Sequence, residues 1–241
     1  VCVGLDPVWD RLPEDMQWEH TDEVEQTESI QEFCFDVLEC VAPHVPAVKI
    51  QSAWFERYGS VGVEVYHHVV HAAQERDLLV IGDVKRGDIG STAEAYARAH
   101  LSGMETPYGP TEGVPDAITV NGYFGADGIR PFLRLAAEEA RGVFVLVRTS
   151  NPSAKDVQDF ASADGERFFE HIAKMVAMLG EGDGLVGDSG YSSLGAVVGA
   201  TWPDEARRLR ELMPRQILLV PGYGAQGASA GDCAAAFKSD G

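Results

Sequence analysis

Short apolar runs rich in Val, Ile and Leu alternate along the chain with longer stretches whose apolar positions recur at helical spacing. Seven runs predict strands: Val1–Leu5, Ala47–Gln51, Leu78–Asp83, Ala117–Val120, Val143–Val147, Gly195–Val198 and Ile217–Val220. Between them the period predicts helices near Ser29–Val41, Val61–Arg76, Ser91–Leu101, Ile129–Ala140, Gly165–Leu179 and Pro203–Met213. Strands separated by single helices are the pattern of repeated βα units around a parallel sheet. An open doubly wound sheet also satisfies this order, but no G-x-G-x-x-G follows the first strand. The expected fold is therefore α/β, a (β/α)8 TIM barrel, with one domain over residues 1–241. Seven strands are one short of closure, so the eighth is expected beyond Gly241, and Ala234–Gly241 reads as the helix leading to it. The abrupt start at Val1-Cys2-Val3 suggests truncation at that end as well. Ser102–Pro115, rich in Gly and Pro, and Gly180–Ser193 read as loops, and acidic Asp10–Thr27 as a surface excursion.

Charge narrows the partners. Nineteen Lys and Arg against 38 Asp and Glu leave a net charge of −19, which repels nucleic acid and anionic membrane surfaces. Only five of the cations are lysines, and that balance predicts an acidic, halophile-like protein suited to concentrated salt. Cys2, Cys34, Cys40 and Cys233 form no C-x-x-C pair, which points to free thiols in a reducing cytoplasm. No run approaches 18 apolar residues, so no membrane span is predicted.

In a barrel of this kind catalytic groups come from the C-terminal ends of several strands. Three early strands carry charge there: Gly4-Leu5-Asp6-Pro7 ends the first, Lys49 sits in the second, and Asp83-Val84-Lys85 ends the third. Strand alternation sends Asp83 and Lys85 to the same side, and Asp88 follows three residues later. Two ammonium groups among carboxylates make a site in which Lys85 stays protonated and can donate to a developing carbanion. The alternative is an ion-pair network that only plugs the barrel mouth.

These residues resemble the orotidine 5′-phosphate decarboxylase family. Its D-x-K-x-x-D hallmark stands here as Asp83-Val84-Lys85-Arg86-Gly87-Asp88, and the continuation Ile89-Gly90-Ser91-Thr92 is similar to the form found in many bacteria and archaea. Segments around Asp6, Lys49, Thr149-Ser150-Asn151-Pro152, Gly195–Thr201 and Pro221–Gly227 also resemble family segments in family order. The resemblance implies decarboxylation of orotidine 5′-phosphate to uridine 5′-phosphate and CO2 in pyrimidine biosynthesis, with neither metal nor organic cofactor. It implies a tetrad of Lys49, Asp83, Lys85 and Asp88, in which Lys85 protonates C6 of the pyrimidine. Asp83 would face the substrate carboxylate, and Lys49 would bind the ribose and orient the network. Asp6 and Thr92 would contact ribose hydroxyls, Ser150 the pyrimidine edge, and Gln226 both pyrimidine and phosphate. The partner implied is a second copy in a homodimer, with Asp88 and Thr92 reaching its site.

The residues themselves support one assignment. Barrels often bind phosphate with the loops after strands seven and eight, and Pro221–Gly227 offers backbone N–H groups with little obstruction, although an ordinary Gly-rich turn looks the same. Two departures from the family stand out: its phosphate-binding arginine belongs to the eighth strand, and Gly122 stands where a proline is expected, leaving Asn121 a candidate substrate neighbour. Metal-dependent sugar-phosphate decarboxylases and aldolases share the D-x-K-x-x-D spacing, and a silent nucleotide-binding barrel is the remaining rival. His67 and His71 share a helix face but lack the Glu of H-E-x-x-H, Asp183 lacks the other oxygen ligands of a calcium loop, and Arg86-Gly87-Asp88 sits at a strand-to-helix junction unsuited to adhesion.

Overall fold

The computed structural model describes residues 1–17, 22–103, 105–106, 109–110, 112–224 and 226–238. Among them, seven strands neighbour one another in the sheet in chain order: Cys2–Leu5, Ala47–Gln51, Leu79–Arg86, Ala117–Asn121, Gly142–Arg148, Ser192–Val198 and Gln216–Leu219. The first three pair in parallel, as do the last three. Parallel neighbours need a crossover, and helices supply it.

The chain groups into two compact units, one of Val1–Val84 with Ala97–Ile118, the other of Lys85–Tyr96 with Thr119–Gly241. In the first, helices Glu23–Val41 and Gly59–Gln74 bury Ile30, Leu38, Val69 and Val70 with Val48 and Ile50 of the second strand. In the second, Gly142–Arg148 is buried along nearly its whole length, the signature of a strand covered on both faces. Helices Phe168–Gly180 and Pro203–Leu212 supply buried Phe169, Ile172, Val176 and Leu209.

Differences from the sequence reading have local causes. Helix Glu23–Val41 begins six residues before Ser29, inside the stretch read as a surface excursion. Asp22 caps it by accepting a 2.8 Å hydrogen bond from the Val24 N–H, and Glu23 and Glu25 suit the positive end of the helix. That first turn is largely solvated, so it carries no apolar period; residues 18–21 of the excursion lie outside the described residues. The sixth strand begins at Ser192, within the stretch read as a loop. Ser192 is buried, and its hydroxyl donates to Gly180 O at 2.9 Å and accepts from Leu194 N–H. The stretch Ser102–Pro115 contains an antiparallel pair, Glu105–Thr106 with Gly109–Pro110. Near the C-terminus the helix is Ala230–Ala234 rather than Ala234–Gly241, because Ser229 and Asp232 form a reciprocal capping box; residues 239–241 lie outside the described residues. No helix among the described residues is long and apolar enough to cross a membrane.

Candidate active site

In the first unit the second and third strands align Gln51 with Asp83. Asp83 is buried, and its Oδ2 accepts from Lys49 Nζ at 2.9 Å and from Gln51 Nε2 at 3.0 Å. Lys49 Nζ also lies 3.9 Å from Asp6 Oδ2, at the end of the first strand. A buried carboxylate needs such donors to offset its lost hydration. The result is one ammonium between two carboxylates, with Asp6 half exposed and Asp83 nearly enclosed.

The third strand runs on to Arg86, three residues past its predicted end. Its pleat is broken at Lys85, which has a φ of 44°, unusual for a residue with a side chain. The period-2 argument that sends Asp83 and Lys85 to one side therefore stops applying at Val84. The Lys85 backbone is held in this conformation by a 3.0 Å hydrogen bond from its N–H to Thr119 Oγ1, and Lys85 itself is exposed. Asp77 and Ala140, with φ of 58° and 54°, share this left-handed backbone. Asp88 accepts from the Ile89 N–H at 2.7 Å, and Thr92 is exposed in the first turn of helix Gly90–Leu101.

In the second unit, strand Gly142–Arg148 leads into Thr149-Ser150-Asn151, which is held from several directions. Trp202 Nε1 donates to Thr149 O at 2.9 Å, and Thr201 Oγ1 to Ser150 O at 3.2 Å. Gln158 accepts from the Thr149 N–H at 3.0 Å and donates to its hydroxyl at 2.7 Å. A Cβ on Gly199 would stand 2.9 Å from Ser150 Cα, so only glycine permits this approach. A cavity of about 540 Å³ opens here, lined by Ser150, Asn151, Lys155, Thr201, Trp202 and Gln226 among others. Its volume suits a small organic ligand. Ser150 and Gln226, 76 residues apart in sequence, thus share one cavity.

The loop carrying Gln226 differs from the sequence expectation. Its N–H groups are partly spent on itself: Gly224 donates to Ala228 O, Gly227 to Gly224 O and Ala228 to Gly222 O, at 2.9–3.2 Å. Asn121 is similarly occupied, accepting from the Tyr123 N–H at 2.9 Å in a local turn. His67, His68 and His71 do not converge: their contacts go to Gly113 O, to Gln31, and to Glu75 and Glu112 respectively.

The model of the orotidine 5′-phosphate decarboxylase / HUMPS family matches residues 1–238. The orotidine 5′-phosphate decarboxylase of Rhodopirellula baltica is 41% identical over 242 residues, spanning 100% of this chain and 78% of that protein. That of Deinococcus radiodurans is 42% identical over 241 residues, spanning 100% and 79%. The chain belongs to the orotidine 5′-phosphate decarboxylase family. Solved structures agree: the OMP decarboxylase of Leishmania donovani aligns with TM-score 0.70 and 31% identity over 93% of this chain and 74% of that one. A Toxoplasma gondii chain aligns with TM-score 0.80 and 32% identity over 98% and 77%. This chain accordingly has the α/β TIM-barrel fold class of its relatives, and the family chemistry is the conversion of orotidine 5′-phosphate to uridine 5′-phosphate in pyrimidine biosynthesis.

Three residues of these two clusters, one in the first unit and two in the second, were missed from sequence. Gln51 is two residues beyond Lys49 on the same strand, so strand alternation alone could have placed it beside that residue. Trp202 and Lys155 carry no motif, and reach the cavity only through tertiary packing.

Proposed function

We propose that this chain decarboxylates orotidine 5′-phosphate without a metal ion, with Lys85 as the proton donor. The observation that carries the reading is the Asp83–Lys49–Asp6 alternation of charge, to which the D-x-K-x-x-D spacing adds Lys85. In the reaction the bond between C6 and the carboxylate breaks, CO2 leaves, and the electron pair remains on C6. The Lys85 ammonium stabilises this charge and then delivers its proton to C6, recovering one from solvent. Preorganised charge of this kind acts most strongly where water is excluded. Asp83 faces the substrate carboxylate, while Lys49 binds the ribose and orients both neighbouring carboxylates. Asp6 and Thr92 hold ribose hydroxyls. Ser150 reads the pyrimidine edge, and Gln226 reaches pyrimidine and phosphate, a division of labour supported by their shared cavity.

A homodimer completes the proposal, with Asp88 and Thr92 reaching the partner's site. Ile89, Tyr123 and Phe124 are exposed at 55%, 69% and 43%, and Phe124 and Asp88 both lie beside Gly128. Such apolar surface favours a covered face, and a second copy of this chain is the occupant. The four free cysteines support a cytoplasmic setting. Burial pushes the Cys34 thiol up to about 12, which keeps it unreactive.

The test follows orotidine 5′-phosphate absorbance in molar salt with EDTA, for the wild type and Lys85→Ala. Turnover by the wild type and none by folded Lys85→Ala is the expected result. Activity only after Mg2+ is restored would move the chain to the sugar-phosphate branch, and near-normal turnover in the variant would end the proton-donor assignment.

A further inference from the structure

Strand Gly142–Arg148 ends its register with Ser192–Val198 at Arg148, so the next residue, Thr149, needs other partners for its backbone groups. Gln158 Oε1 accepts from its N–H at 3.0 Å, and Trp202 Nε1 donates to its carbonyl at 2.9 Å. The orientation of the Gln158 amide follows, because a backbone N–H only donates. The oxygen must face it, which leaves Nε2 for the Thr149 hydroxyl at 2.7 Å. That hydroxyl, already receiving from Gln158, gives its own proton to Asn151 Oδ1 at 2.7 Å.

Gln158 thus closes the stretch 149–158 on itself through both atoms of its amide, and the bonds it starts end at Ser150 and Asn151, which line the cavity. Closing a loop needs only the backbone bond. The second bond, to the Thr149 hydroxyl, orders a side chain and through it the Asn151 amide. From the other side, Thr201 Oγ1 donates to the Ser150 carbonyl, and Gly199 lets the Ser150 backbone approach. None of these bonds uses the Ser150 hydroxyl, which is left for a ligand in the cavity. A hydroxyl on so short a side chain reads a ring edge only when its backbone is held still, since hydrogen bonds weaken steeply away from their preferred geometry.

We propose that Gln158 is a positioning residue for the base-reading edge of the cavity: its amide fixes Thr149, and through Thr149 the Ser150 hydroxyl that meets the pyrimidine. The proposal rests on the reading of Ser150 given above and adds to it a residue that does not itself line the cavity. Its effect falls on the base alone. Loosening Thr149 weakens a ligand that carries the pyrimidine and spares one that lacks it.

Calorimetric titration with uridine 5′-phosphate and with ribose 5-phosphate, which lacks the base, tests it on the wild type, Gln158→Met, Gln158→Glu, Ser150→Ala and the double variant of Ser150→Ala with Gln158→Met. Gln158 is half-buried and outside the apolar core, so each variant should fold, as urea unfolding would verify. Gln158→Met keeps the bulk and loses both bonds, whereas Gln158→Glu keeps an oxygen for the Thr149 N–H, and its charge acts on both anionic ligands alike. The expected result is about tenfold weaker uridine 5′-phosphate binding by Gln158→Met, with ribose 5-phosphate within about twofold. Gln158→Glu should hold the ratio between the two ligands near that of the wild type, and Gln158→Met should add little to Ser150→Ala. Equal loss for both ligands, no loss for either, or a Gln158→Glu ratio as low as that of Gln158→Met would overturn the proposal. So would losses that add independently to those of Ser150→Ala. If Ser150→Ala itself leaves the ratio unchanged, the reading of Ser150 falls first, which separates the two failures.

Discussion

Two charged residues, Asp83 and Arg148, are buried among the described residues; Asp83 lies within strand Leu79–Arg86 and Arg148 ends strand Gly142–Arg148. Asp83 is held by single donors, Lys49 and Gln51, beside a half-exposed Asp6. Arg148 is fully enclosed between the Phe169 and Trp202 rings, with Asp159 and Glu205 as counter-charges. Glu205 also lies 4.0 Å from Arg167, which meets Glu170, and Glu170 in turn meets Arg208. In the proposed reaction the first of these buried charges serves the chemistry, whereas the second is walled in beside the segment that carries Ser150. Burial of a charge therefore does not by itself mark a catalytic group.

The sharpest way to break this contrast is Asp83→Asn. It retains nearly the same shape and an acceptor oxygen, so we expect turnover to fall on the order of 10³-fold while the urea midpoint stays or rises. Steady-state kinetics alongside urea unfolding decide the matter. A collapsed midpoint with normal activity per folded molecule would make Asp83 the plug of an ion-pair network.

Arg148→Met should behave in the opposite way. Removing the guanidinium strands Asp159 and Glu205 beside an apolar side chain, and the expected loss is about 3 kcal/mol of stability. In the folded fraction kcat should remain within about tenfold, because Arg148 is fully enclosed by protein. An unchanged urea midpoint would show that the enclosed charge braces nothing.

The smallest effect belongs to the rim of that network. Burial pulls the Glu170 carboxyl up, but the Arg167 N–H, at 3.1 Å, and the Arg208 and Arg167 side chains outweigh it and hold it below the usual carboxylate range. A carboxylate depressed in the folded state stabilises the protein above its unfolded pKa, and that contribution is lost as pH falls through its folded value. Glu170→Gln should therefore cost a few tenths of a kcal/mol at pH 7 and almost nothing at pH 3, read from paired urea titrations. An equal cost at both pH values would show packing, not charge, at work.

Much of this molecule was legible before folding. The strand and helix alternation, the barrel class and the D-x-K-x-x-D spacing rest on local periodicity, which the chain carries residue by residue. Where polar residues are buried or capping, as at Ser192, Asp22 and Ser229, the periodic signal fails and element ends shift. Lys85 shows a further limit: its left-handed backbone depends on Thr119 from another strand, so no strand rule could foresee it.

The sequence by itself determined which strands bear charge and which segments resemble a decarboxylase, because those properties are written in short stretches of contiguous residues. Only the tertiary structure decided that Gln51 donates to Asp83, that Ser150 and Gln226 share a cavity, and that Lys155 and Arg148 both reach Trp202. Those contacts join residues from separate elements, and their distances are fixed by how the strands register and the loops pack.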